Sequence, residues 1–119
     1  KGYMQEVLDC IRRWWGDFLA HDCRTTPENY LEKMHYGMWS HCHAWSAHPL
    51  VHLHEIVLGV RQVAPCWRKV SFKPLMLPGE KASGDIPTPW GTIHAEWDWT
   101  NDEPRKNILL PSEIILIEE

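Results

Sequence analysis

The hydrophobic period of this chain changes once, a little after residue 60, and that change limits the fold more than any other feature. From Tyr3 to Leu19 the apolar residues fall at Met4, Val7, Leu8, Ile11, Trp14, Trp15, Phe18 and Leu19. These i, i+3, i+4, i+7 steps describe an amphipathic helix, with Gln5, Glu6, Asp9, Arg12, Arg13 and Asp17 on the other face. A second helix is predicted to start between Ser46 and Pro49, with a serine as cap and proline in the first turn. It runs through Leu50, Leu53, Ile56, Val57 and Val60, with Gly59 close to its end and His52, His54 and Glu55 on its more polar side. After Pro65 the period becomes two. Lys69 to Pro74 alternates polar and apolar, and Thr92 to Trp99 puts Ile93, Ala95, Trp97 and Trp99 on one face. Ile108 to Ile117 adds one or two strands broken at Pro111, and Gly79, Gly84, Pro87, Pro89 and Gly91 are expected to mark turns. Helices followed by strands, without alternation, imply an α+β fold or two separate units.

The first helix raises a problem of cover. Its apolar stripe is wider than one short neighbour could bury, and three to five strands make at most a partial sandwich. The chain also does not begin with Met. We therefore expect the C-terminal end of a larger protein, and secretion stays open. Residues 20–38 read as a connection broken by Pro27 and Gly37, with a helical turn expected over 30–35. A loop this long in a compact domain is often functional.

Composition removes some function classes. The net charge is −4 and no Lys/Arg run occurs, which argues against nucleic acid as a partner. No apolar run approaches the roughly 20 residues that span a bilayer, so no membrane partner is expected. The four cysteines, at 10, 23, 42 and 66, show no CxxC spacing and are expected to be free, buried thiols.

Eight tryptophans are several times the usual share, and two of them lie in the chemically most unusual stretch. Trp39 to Pro49 holds two indoles, three imidazoles and a thiol without a Lys, Arg, Asp or Glu. Flat apolar faces beside neutral hydrogen-bonding groups suit an uncharged, polyhydroxylated ligand such as a sugar. Zinc is the rival: His41, Cys42, His43, His48, His52 and His54 are all possible ligands. Their spacing matches no common site, so neither metal nor cofactor is expected.

The run Ser40-His41-Cys42-His43-Ala44-Trp45-Ser46-Ala47-His48-Pro49 resembles the C-terminal signature of α-L-rhamnosidases of glycoside hydrolase family 78. Other elements of that family agree in order. They are Thr25-Thr26 before the run, Val57-Leu58-Gly59-Val60-Arg61 after it, Ala64-Pro65-Cys66-Trp67 where the family has Ala-Pro-Gly-Phe/Trp, and Phe72-Lys73-Pro74. A hairpin element follows at Gly84-Asp85-Ile86-Pro87-Thr88-Pro89-Trp90-Gly91-Thr92-Ile93. The resemblance covers roughly residues 23–100. It implies that residues 1–62 are the last helices of an (α/α)6 catalytic toroid and residues 63–119 a small antiparallel β-sandwich. Trp90, Trp97 and Trp99 would then be core or interface residues of that sandwich.

The resemblance also implies an inverting glycosidase. One carboxylic acid protonates the leaving oxygen, and a carboxylate roughly 6.5–9.5 Å away activates water. The family's base is a Glu in Thr-Thr-x-x-Glu. Here Glu28 arrives one residue early, in Thr25-Thr26-Pro27-Glu28, and Glu32 is the substitute. Read by itself, Pro27-Glu28 is equally a helix start, where a carboxylate favours the N-terminal dipole. His43 matches the family's sugar-contacting histidine, and Trp39, Trp45 and His41 complete the candidate substrate contacts. Trp14 and Trp15 read as core packing. The general acid lies upstream in the family, so the implied partners are a rhamnose-containing carbohydrate and the rest of the catalytic domain. The isolated chain should be inactive. The alternative is a non-catalytic carbohydrate-binding or structural module.

Overall fold

The computed structural model describes residues 3–31 and 39–117. It divides into two compact units, Lys1–Val51 and His52–Glu119.

The first unit is built on helix α1, Met4–Ala20, which buries Leu8 and Phe18. Its C-terminus is closed by paired backbone bonds: the Cys23 N–H reaches Phe18 O at 2.9 Å and the Asp22 N–H reaches Leu19 O at 3.1 Å. This crossed pattern needs a left-handed residue just past the helix end, and Asp22 supplies it at φ 53°. Trp14 and Trp15 are only half-buried. A 3-10 turn at Ala44–Ala47 leads into a short helix α2, Pro49–His52.

The second unit opens with a π-helical turn, Leu53–Val57, whose wide winding places the Leu58 N–H on Leu53 O at 3.0 Å. The single regular helix expected from about 46 to 60 is thus three short pieces of different winding, and Val60 lies in a strand. Gly59 is the reason it ends there. At φ +71° it turns the chain out of the helix, and a Cβ on it would meet the Pro74 nitrogen at 2.0 Å.

Six strands follow. β1 (Val60–Gln62), β2 (Lys69–Phe72) and β6 (Ile115–Ile117) form one sheet in the order β1-β2-β6. β3 (Lys81–Thr88), β4 (Gly91–Asp98) and β5 (Arg105–Leu109) form the other in the order β3-β4-β5. The second sheet is antiparallel throughout, but β2 and β6 run parallel, with Val70 opposite Leu116, so the first sheet is mixed. Leu58, Val60, Val70, Ile86, Ile93, Ala95 and Ile114 form one buried cluster, with Trp67, Phe72 and Trp90 packed against it. Since residues of both sheets meet there, the sheets face each other as a small β-sandwich within an α+β chain.

Two turn expectations change. Gly84 and Pro87 are inside β3 and not in turns. Gly84 has no side chain because Leu58 packs there: an added Cβ would sit 2.7 Å from its Cδ1. Pro87 is tolerated because β3 is an edge strand. The cysteines are free as expected, yet Cys10, Cys42 and Cys66 are exposed and Cys23 is half-buried, which corrects their expected burial.

Candidate functional site

The candidate residues fall on two segments of the first unit, residues 25–28 and 39–45, which are laced together. The His43 N–H donates to Thr26 O at 2.8 Å, and the Thr26 hydroxyl returns a bond to His43 O at 3.1 Å. One step away the Thr25 hydroxyl donates to His41 O. At the other end the Glu28 N–H reaches Ser40 O at 2.9 Å, and the Ser40 N–H donates to Glu28 Oε2, also at 2.9 Å. The Ser40 hydroxyl donates to Cys42 O at 2.9 Å and lies 3.2 Å from the Cys42 N–H. Thr25 and Thr26 therefore act through their hydroxyls, which bind backbone that no regular ladder satisfies.

Helix α1 braces both ends of this frame. The Trp14 ring lies 4.3 Å from that of Tyr30, with the Arg13 guanidinium 4.8 Å from the Trp14 ring centre. Trp15 donates its indole N–H to Ser46 O at 2.7 Å, just past the 39–45 segment. Both tryptophans thus do more than fill a core. The polar edge of Trp15 fixes the 3-10 turn.

Glu28 is exposed and its Oε2 is occupied by the Ser40 N–H, so its carboxylate is held by the opposite segment. His43 is half-buried, with the Trp45 ring edge-on at 5.1 Å and 73°. Trp45 is 82% exposed. Trp39 is 37% exposed, and His41 is exposed. The structure thus puts Glu28, His41 and His43 on one laced frame, with Trp45 against His43. Glu32 and most of the turn expected over 30–35 lie outside the described residues. Among the described residues no three His, Cys, Asp or Glu side chains group to hold a metal.

Sequence reasoning did not anticipate two features of the second unit. A cleft of about 680 Å³ lies along β3, β4 and β5, lined by Lys81, Ser83, Glu96, Asp98, Arg105 and Asn107 among others. None of the five predicted site residues lines it. Beside it, His94 Nδ1 lies 2.6 Å from Asp85 Oδ1. The hydrogen bond to Asp85 raises the His94 pKa above its ordinary value, with the nearby Asp85 and Glu96 charges adding to it. The signal for this cluster was present in the sequence: the alternation of β4 puts His94 and Glu96 on its polar face.

No curated protein and no solved structure matches the chain. Residues 59–114 match the family model of the bacterial alpha-L-rhamnosidase C-terminal domain, a span that includes both sheets up to Ile114 and none of Glu28, Trp39, His41, His43 or Trp45.

Proposed function

From the match of residues 59–114 to the bacterial alpha-L-rhamnosidase C-terminal domain model, we propose that the chain is the C-terminal part of a glycoside hydrolase that removes terminal α-L-rhamnose with inversion. In this reading the helical residues up to about 58 end an (α/α)6 catalytic domain, and the sandwich domain that follows it begins a few residues before the expected 63, because β1 (Val60–Gln62) is one of its strands. Glu28 is the general base that activates water. The observation that carries this role is the Ser40 N–H held on Glu28 Oε2 at 2.9 Å. That bond fixes one carboxylate oxygen in direction, and among the described residues nothing hydrogen-bonds Oε1, which is left for the water. His43 donates to a sugar hydroxyl or orients the same water, His41 adds a polar contact, and Trp45 and Trp39 cover the apolar face of the ring. The general acid comes from the preceding part of the parent protein, so the isolated chain is inactive.

Base catalysis of this type contributes about 10²–10⁴-fold. Replacing the parent's Glu28 by Gln should therefore lower kcat by at least about 10²-fold while leaving the unfolding transition in place. Near-normal turnover would move the base elsewhere. NMR of the first-formed sugar should show the inverted anomer, and a retained anomer or an uncleaved α-rhamnoside ends the proposal.

For residues 63–119 a structural role is favoured over sugar binding. The Trp97 indole is 4% exposed and donates to Val57 O at 2.7 Å. Trp90 donates to Cys66 O at 2.6 Å and carries the Arg68 guanidinium 3.4 Å from its ring centre. Neither ring offers an open face of the kind that stacks on a sugar.

A further inference from the structure

The strand register arranges the outer face of the second sheet in three cross-strand rows. Lys81, Asp98 and Arg105 make one row, Ser83, Glu96 and Asn107 the next, and Asp85, His94 and Leu109 the third. In the third row His94 Nδ1 is 2.6 Å from Asp85 Oδ1, and His94 Nε2 is 3.8 Å from Glu96 Oε2. The imidazole thus lies between two carboxylates, one on the neighbouring strand and one on its own.

We propose that Asp85, His94 and Glu96 form an acid-favoured clasp that fastens the β3–β4 hairpin more tightly as the solution becomes mildly acidic.

The chemistry follows from the donor count. A neutral imidazole has one N–H, which the short contact commits to Asp85, and its Nε2 is then an acceptor facing an acceptor. Protonation makes Nε2 a donor toward Glu96 and places a positive charge between two negative ones. The neighbouring strands add no competing charge beside the ring. β3 contributes only Asp85 there, and β5 contributes Leu109 opposite and Asn107 one row away. Asn107 donates to Glu96 Oε1 at 3.2 Å, which leaves Oε2 as the oxygen that faces His94. The nearest charges further along the face, Lys81, Asp98 and Arg105, are in the far row. Because the partners raise the folded pKa, the gain is complete below the unfolded pKa and is lost as pH rises through the folded value. This inference does not depend on the glycosidase reading, because it concerns only the face of the sheet.

The test is an NMR pH titration of the His94 ring in the full chain, compared with Asp85→Asn and Glu96→Gln. The midpoint should lie above the ordinary histidine value of 6.5 and fall in both variants, further in Asp85→Asn. The Tm difference between the wild type and His94→Gln should also widen from about pH 8 to about pH 5.5, reaching about 2 °C. A midpoint at or below 6.5, or one that Asp85→Asn leaves unmoved, overturns the clasp. If His94→Gln does not fold, the titration of Asp85→Asn decides alone.

Discussion

The two units hold their shape by different means. The second unit uses backbone ladders between strands and one shared core in which Val60, Val70, Ile93 and Ala95 are fully enclosed. The first unit buries Leu8 and Phe18 of α1, and ties residues 25–28 to 39–45 by threonine, serine and glutamate side chains bound to backbone. It also leaves Tyr3, Leu19, Trp45 and Leu50 largely uncovered. A core spreads its energy over many contacts, whereas a laced loop rests on a few bonds of about 1 kcal/mol each. The contrast suits a division of labour in which one part is a stable support and the other presents chemically useful groups.

Three substitutions test that contrast, in falling order of effect. Ile93→Ala removes a fully buried side chain from the core between the sheets and should cost about 3 kcal/mol by denaturant unfolding. A loss below about 1 kcal/mol would mean that the sandwich is not closely packed. Trp15→Phe keeps an aromatic six-membered ring but removes the pyrrole part of the indole and with it the bond to Ser46 O, which should cost about 1–2 kcal/mol. Amide exchange should quicken over residues 44–47 and remain unchanged in β3 and β4. Equal quickening in both units would erase the distinction. Cys66→Gly should have the smallest effect and the opposite sign. Cys66 sits at φ 56°, where a non-glycine residue is strained by about 1–2 kcal/mol, while glycine's greater freedom in the unfolded chain returns about 0.5–1 kcal/mol. A net gain of about 0.5 kcal/mol in the unfolding free energy is expected, and a net loss would show that no strain is stored there.

That last position shows what could be read from the sequence. The resembling family carries glycine where this chain has Cys66, and the left-handed backbone gives the physical reason for it. Helix α1, strand β2 and the inward face of β4 were legible, because each has an unbroken period. The second helix was not, because the need for positive φ at Gly59 overrides a stripe that continues through Val60. Pairing of β6 with β2 was hidden as well, since nothing local in Ile115–Ile117 names a partner so distant along the chain. At the site, the residue types were visible but the frame was not. Which carbonyl a threonine hydroxyl finds depends on where a second segment lies. The exposure of three cysteines had no sequence signal at all.

The parallel pairing of β6 with β2 has a consequence for the order in which the sandwich can assemble. β1 and β2 pair through a short connection, but the entire second sheet intervenes before Ile115–Ile117 can return to β2. Until then β2 has an open edge, with its backbone donors and acceptors on that side exposed to any strand nearby. Closing the first sheet means bringing back a segment more than forty residues downstream, the kind of non-local step that slows folding. The folding chain is therefore most vulnerable to wrong pairing in the interval before β6 docks on β2. A molecule in that interval is a half-built sandwich, with the second sheet able to form and the first still lacking its third strand.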